Sequence, residues 1–205
     1  MDEYLSFLQR KQKTHIVSGF ECDKLNKKLF VFQNFIVKRA LRAGKYAIFA
    51  DCGLGKTLMQ LEWAQKIIEK EQKPIIILAP LAVTKQTILE GDKFGYQVEK
   101  YSENHTLENK IYITNYEQLE KVNADNFVGV VSDESSILKN FEGANRNLII
   151  DKFKNTKYKL ACTATPSPND PMELGNHAEF LDVMTRNEML AMYFVHDGGE
   201  TAKWR

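Results

Sequence analysis

The chain has no closely spaced cysteine pair, no apolar stretch of membrane-spanning length and no surplus of either charge. Its three cysteines, Cys22, Cys52 and Cys162, are odd in number and scattered, which argues against a disulfide framework or a structural zinc site. The longest apolar run, Ile75 to Val83, is broken by Pro80 and falls far short of the ~20 residues that span a bilayer. The opening MDEYLSFLQRKQK lacks the charged-then-apolar order of a signal peptide. A cytoplasmic location with no membrane partner is the default expectation. With 28 Lys and Arg against 27 Asp and Glu, nucleic-acid binding has to rest on a local patch, since there is no global basic field. Internal repeats and low-complexity segments are also missing.

What is present is a globular composition, 43% hydrophobic over 205 residues, which excludes disorder as the main state and suits one well-buried domain better than two. Residues 1–28 are polar, with a basic cluster at Arg10, Lys11 and Lys13 that reads as a solvated face. Phe30 to Ala43 has helical spacing, with Phe35, Ile36, Ala40 and Leu41 as its apolar stripe and Gly44 as its stop. Strands are expected at 46–50, 75–79, 111–116, 127–131 and 158–162. Helices are expected at Thr57 to Lys70, with Leu58, Leu61, Ala64 and Ile68 as a stripe, and at Thr84 to Glu90, Glu117 to Val122, Ala144 to Phe153, Met172 to Leu181 and Asn187 to Val195. Apolar runs without alternation, separated by amphipathic helices, predict an α/β fold whose mostly parallel sheet is covered on both faces.

Ligands of such a sheet bind beyond the carboxyl ends of its strands. The first strand leads into ADCGLGKT, residues 50–57. Gly53 and Gly55 let successive N–H groups turn inward, and the helix that follows adds its positive end, a cradle for di- or triphosphates. Lys56 would reach the β- and γ-phosphates and Thr57 would offer its hydroxyl to Mg²⁺. The strict GxxxxGK[ST] pattern fails at Ala50. The remaining GxGK[ST] string would arise by chance in such a chain about one time in a hundred at average glycine usage, so a plain Gly-rich turn is the weaker explanation.

The fourth expected strand ends at Asp133 and Glu134. Two carboxylates at a buried strand end are costly without a compensating cation. Mg²⁺ bound to ATP would provide one, with Asp133 holding the metal and Glu134 orienting or deprotonating the attacking water. As an isolated pair they would read as surface. The fifth strand ends in Thr163, Ala164, Thr165 and Pro166, where small hydroxyls can contact the carboxylate loop and sense the γ-phosphate.

Gln33, ADCGLGKT, LAPLAV at 78–83, ITNYEQL at 113–119, SDESSILKN at 132–140 and TATPSPND at 163–170 come in the order of motifs Q, I, Ia, Ib, II and III of superfamily-two helicases. The chain resembles the Swi/Snf-like branch of that superfamily from Leu29 onward. The resemblance implies a RecA-like fold at 29–195 and ATP and Mg²⁺ as cofactors. Cys52, Gly53, Leu54, Gly55, Lys56 and Thr57 would form the nucleotide cradle, and Gln33 would read the adenine edge with an amide that both donates and accepts. It also implies DNA, ahead of RNA, as the track, with contacts at Pro80, Leu81 and Thr84 and at Thr114, Asn115 and Tyr116. Without the family, both segments read as strand ends with turns. Ser135 and Ser136 depart from the Ala-His or Ala-Asp of many relatives. Ser136 is nevertheless expected to couple nucleotide state to Thr163 and Thr165 by hydrogen bonding one of them.

In this superfamily a second lobe closes the ATP site with arginines, and only 40 residues follow Thr165, so residues 196–205 are expected to begin a linker to such a lobe. The expected activity is that of a helicase or translocase ATPase, slow in this chain alone because an arginine finger is worth about 10³ to 10⁵ in rate. The alternatives are an ATP-responsive switch that binds nucleic acid or protein without motor activity, and a P-loop kinase, which would need an acceptor pocket. Cys52 lies where a thiol's acidity rises but reads better as a small loop residue. His177 follows Glu173 by four without a third metal ligand, Ser135 and Ser136 lack a nucleophile elbow, and Lys203 and Arg205 read as a solvated tail.

Overall fold

The structure, a computed structural model, describes residues 17–104, 106–139 and 143–194. The basic cluster at Arg10 to Lys13, Asn140, Val195, the linker at 196–205 and the tail residues Lys203 and Arg205 lie outside the described residues. The elements run α1 (Val31–Ala43), β1 (Lys45–Phe49), α2 (Lys56–Glu71), β2 (Ile75–Ala79), α3 (Leu81–Phe94), β3 (Val98–Lys100), β4 (Ile111–Asn115), β5 (Gly129–Asp133), α4 (Ala144–Lys152), β6 (Tyr158–Thr163), α5 (Leu174–Phe180) and α6 (Arg186–Tyr193). Short 3₁₀ turns at Tyr116–Lys121, Ala124–Asn126, Ser135–Lys139 and Pro171–Glu173 join them.

The strands form a six-stranded sheet in the order β1-β6-β5-β2-β4-β3, with every pairing parallel. β1 and β2 are laid down with two places between them, which β6 and β5 later fill, so the loops after β1, β5 and β6 open side by side. Ile75, Ile77 and Ala79 of β2 pack with α1 and α2 residues such as Val37, Leu41, Leu61 and Trp63. Ile76 and Leu78 point the other way, toward Ile149, Phe153 and Phe180. Both faces of the strand are therefore dry, which is why its sequence does not alternate. Each fully buried Ile adds about 1.5–3 kcal/mol.

The α/β fold with its parallel sheet and the expected order of strands and helices are as observed, with local corrections. Phe35 is 62% exposed, and the buried stripe of α1 is Gln33, Val37, Ala40 and Leu41. The strand expected at 127–131 lies at Gly129–Asp133, so Asp133 ends the strand itself. The segment expected as a helix at Glu117 to Val122 is a 3₁₀ turn capped by Asn115, whose Oδ1 accepts from Gln118 N at 3.1 Å. α2 is buried on nearly every side, Gln60 and Glu62 included. The segment before α1 runs along both helices: Ser18 N and Phe20 N donate to Ala43 O and Leu41 O of α1, and Glu62 of α2 accepts from Asn26 N at 2.8 Å as well as from the Tyr96 hydroxyl at 2.6 Å.

At the amino ends of β1 and β6, Lys45 and Lys159 each lie 2.7 Å from Asp182 Oδ2. Lys159 is fully buried, and burial lowers its pKa against the pull of Asp182. Beside this pair, Glu71 accepts from Lys157 at 2.8 Å and from the Tyr158 hydroxyl at 2.7 Å, bonds that hold its carboxyl below the usual range.

Candidate functional site

The loop after β1 is tied to β6 where Ala50 N donates to Thr163 O at 3.2 Å. Gly53 and Gly55 take φ of +81° and +74°, a region open to glycine at little cost. They differ in surroundings. A Cβ on Gly53 would meet nothing within 4 Å, while one on Gly55 would come within 2.4 Å of Gln33 Nε2. The loop is therefore bare on one side and wedged against Gln33 on the other. Asp51 to Leu54 are exposed, and Lys56 Nζ donates to Ala50 O at 2.9 Å and Asp51 O at 3.2 Å. Lys56 and Thr57 open α2 at the helix end where N–H groups lack intrahelical partners.

Gln33, expected at an adenine, is 3% exposed. Its Nε2 donates to Leu54 O at 2.9 Å and its Oε1 accepts from Phe30 N at 3.0 Å. In this conformation both ends of the amide serve the chain itself, bracing the loop after β1. Phe30 and Leu54 leave apolar surface exposed on either side of it.

Asp133 is 8% exposed and, among the described residues, forms no ion pair. Its Oδ1 accepts from Gln60 Nε2 at 2.6 Å and from Glu134 N at 3.1 Å. Burial nevertheless raises its pKa, outweighing these bonds and the more distant charge of Lys56. Gln60 escaped the sequence reading because a polar residue among apolar neighbours reads as surface. A signal existed, since Gln60 stands four after Lys56, a spacing that puts both on one helix face. Its Oε1 has no partner among the described residues.

Glu134 adopts φ +55°, uncommon for a residue with a Cβ. Its Oε1 accepts from Ser136 Oγ at 3.0 Å and Thr163 Oγ1 at 2.9 Å, and Thr165 N donates to Thr163 Oγ1 at 3.0 Å. Ser136, Thr163 and Thr165 thus meet around Glu134, and the direct serine-to-threonine bond expected from the sequence is replaced by this carboxylate bridge. Ser135 Oγ is buried without a partner among the described residues.

The six residues expected to touch nucleic acid divide. Leu81 is exposed, and Pro80 and Asn115 are half-buried. Thr84, Thr114 and Tyr116 are buried, on the inner sides of α3, β4 and the 3₁₀ turn. Thr84 Oγ1 donates to Pro80 O at 3.3 Å. Tyr116 donates its hydroxyl to Asp133 O at 2.5 Å and lies 3.0 Å from Ser132 Oγ. Pro80, Leu81, Tyr116, Glu117, Glu134, Ser136 and Ile137 line one cleft of about 270 Å³, so candidate track residues and the candidate base share a wall.

A roomier cleft of about 480 Å³ beside β1 is apolar, and no carboxylate or lysine lines it among the described residues; it is not where the motifs converge. His177, on its wall, is buried, lies 3.0 Å from Pro166 O and has its pKa lowered by burial. Among the described residues no group of three metal-ligating side chains occurs, and no helix is long and apolar enough to cross a membrane. The Cys162 thiol beside Asp133 is pushed well up by burial.

Residues 22–168 match the family model "Type III restriction enzyme, res subunit". The chain is 26% identical over 177 residues to the DNA annealing helicase and endonuclease ZRANB3 of Mus musculus, covering 78% of this chain and 16% of that protein. Its fold is similar to the Sulfolobus solfataricus SWI2/SNF2 ATPase core in complex with dsDNA, with a TM-score of 0.69 and 23% identity, over 84% of this chain and 40% of that one. The UvsW helicase of bacteriophage T4 superposes with a TM-score of 0.56 and 17% identity, over 82% and 62%. The chain thus spans less than two thirds of each of these relatives. It belongs to the Type III restriction enzyme res-subunit family, with the fold and motif order of the N-terminal RecA-like lobe of a Swi/Snf-like superfamily-two helicase.

Proposed function

We propose that this chain is the nucleotide-binding lobe of a DNA-dependent ATPase of helicase or translocase type, and that it binds Mg·ATP at the ends of β1, β5 and β6. The observation that carries this is the convergence, at the ends of β1 and β5 on either side of β6, of a positive-φ glycine loop whose Gly53 side is open with the buried Asp133, which forms no ion pair among the described residues. The residues fit a nucleoside triphosphate with a divalent cation. Bound Mg·ATP would supply a divalent cation to stand against the Asp133 carboxylate and the phosphoanhydride bond to be hydrolysed. Lys56 would leave the Ala50 and Asp51 carbonyls for the terminal phosphates, and Thr57 and Asp133 would hold the metal. Cys52 to Gly55 would present backbone N–H groups. Glu134, fixed by Ser136 and Thr163, would take a proton from the attacking water, and Thr165 would pass nucleotide state onward. Gln33 would exchange its Leu54 and Phe30 bonds to meet an adenine, flanked by Phe30 and Leu54. DNA would run past Pro80, Leu81 and Asn115, with Thr84, Thr114 and Tyr116 supporting that rim from beneath.

We further propose that residues 29–195 form the working domain, that residues 1–28 extend it, and that turnover requires arginines from a second lobe. Calorimetric titration with Mg·ATP and with a DNA duplex, followed by phosphate release once a second lobe is supplied, tests the proposal. Binding of both ligands with DNA-stimulated release onto water is expected. Failure to bind nucleotide, or transfer of phosphate to an acceptor other than water, overturns it.

A further inference from the structure

We propose that Tyr116 is a positioning residue that couples occupancy of the candidate DNA rim to the hydrolytic carboxylates. This rests on the proposed function above and adds to it a path for coupling between the two ligands. Tyr116 opens the 3₁₀ turn directly after Asn115, at the end of β4. β4 and β5 are not neighbours; β2 lies between them. The tyrosine ring therefore reaches across two strand spacings, about 10 Å, to place its hydroxyl 2.5 Å from the Asp133 carbonyl.

That carbonyl belongs to the peptide joining Asp133 to Glu134. The N–H of the same peptide donates to Asp133 Oδ1 at 3.1 Å, so the peptide plane is gripped on both edges. Its orientation sets the φ of Glu134, which stands at +55°, a conformation that persists only where surroundings impose it. Ser136 and Thr163 hold the Glu134 carboxylate, while Tyr116 holds its backbone. The tyrosine is 5% exposed and packs in the same core as Ile76 and Leu78 of β2, so it moves with the strand ends and not with solvent. A ligand that shifts the β4 rim, or enters the cleft shared by Pro80, Leu81, Tyr116 and Glu134, thereby shifts the peptide that carries the candidate base. Linkage requires the reverse as well: nucleotide held by Asp133 alters affinity at the rim.

Tyr116→Phe keeps the ring and removes the hydroxyl. Tyr101→Phe is the comparison, because the Tyr101 hydroxyl donates to Lys121 O at 3.2 Å, at the far end of the same turn, without reaching Asp133. Fluorescence anisotropy of a labelled 20-base-pair duplex measures Kd with and without Mg²⁺ and a non-hydrolysable ATP analogue. In the wild type and Tyr101→Phe the analogue is expected to change the duplex Kd by about fivefold or more. In Tyr116→Phe the change should fall below about twofold. Equal coupling in Tyr116→Phe and wild type overturns the inference, as does equal loss in both variants, which would mean mere loosening of the turn. Wild type that binds both ligands without coupling overturns it alone, whereas wild type that binds neither overturns the proposed function and this inference together. Should Tyr116→Phe fail to fold, hydrogen exchange on wild type decides. Duplex binding is expected to alter protection at 133–136 together with 115–121, and a change confined to 115–121 contradicts the link.

Discussion

Lys45 and Lys159 converge on Asp182 at the amino ends of β1 and β6, whereas at the carboxyl end of β5, next to β6, Asp133 is buried and, among the described residues, accepts only from Gln60 and a backbone N–H. The first region contains a fully buried charge that has its counter-ion and a second network, Glu71 with Lys157 and Tyr158, beside it. The second leaves a carboxylate with a raised pKa, a buried Gln60 oxygen without a partner among the described residues and a lysine turned onto its own loop. Backbone conformation does not separate the regions, since Gln72 and Asp182 share the positive φ of Glu134. Charge compensation does. Breaking a buried ion pair costs stability, and a buried carboxylate without an ion partner is a candidate ligand site.

The contrast breaks most visibly at Lys56. Lys56→Ala should weaken Mg·ATP binding by about 100-fold in a calorimetric titration, the scale of hydrogen bonds to a charged group, whereas Glu134→Gln should bind nearly as wild type. With a second lobe present, the same Glu134→Gln should lower phosphate release by about 10² to 10⁴. Equal release by this variant and wild type would remove Glu134 as the base.

At the opposite end, Asp182→Asn leaves buried Lys159 without its anion. Removing one partner of a buried pair costs about 3–5 kcal/mol, and since Asp182 is one-third exposed a loss of about 2 kcal/mol is expected. That lowers Tm by about 4–8 °C in a scanning melt with Mg·ATP affinity unchanged. A weakened nucleotide site with unaltered Tm would erase the division between the two ends.

Gly55→Ala should act at the boundary between stability and function. Its φ of +74° and the Gln33 amide 2.4 Å from the added Cβ together predict a loss of about 1–2 kcal/mol and weaker nucleotide binding. Gly53→Ala, equally strained but in open space, should lose stability without disturbing Gln33. Nearly equal nucleotide affinities in the two variants would detach Gln33 from the loop.

Smallest is the pH effect. A carboxyl whose folded pKa is raised stays protonated in the folded state after its unfolded counterpart has ionised. Its contribution to stability therefore falls as pH climbs from the ordinary carboxylate range through the raised value. Asp133→Asn should remove that falling component from the profile of Tm against pH. A profile identical to wild type would mean that Asp133 carries no such burden.

Much of this organisation was legible in the chain. Ile75 to Ala79 reads as a doubly buried strand because both of its faces are covered, and the tight turn at GLGK was legible because glycine takes positive φ values cheaply. β3 was not visible: Val98–Lys100 is three residues long at the sheet edge, with one apolar side chain to bury. Phe35 misled because period alone does not say which side of α1 meets α2, and Gln33 takes the inward place so as to brace Leu54. Tyr116 and Gln60 were opaque for a common reason. Their roles depend on partners at Asp133, 17 and 73 residues away, which only the sheet order brings close.

The most direct test of the central claim, that Asp133 holds the divalent cation of Mg·ATP, is a thermal melt of wild type and Asp133→Asn with and without Mg·ATP. Without ligand, Asp133→Asn should melt at or above the wild-type temperature, because it is relieved of a buried charge. At a ligand concentration of a hundred times Kd, wild type should gain about 2.7 kcal/mol, or about 5–10 °C, and Asp133→Asn should gain nothing. An Asp133→Asn protein that melts lower than wild type without ligand, yet is stabilised equally by Mg·ATP, would contradict the claim.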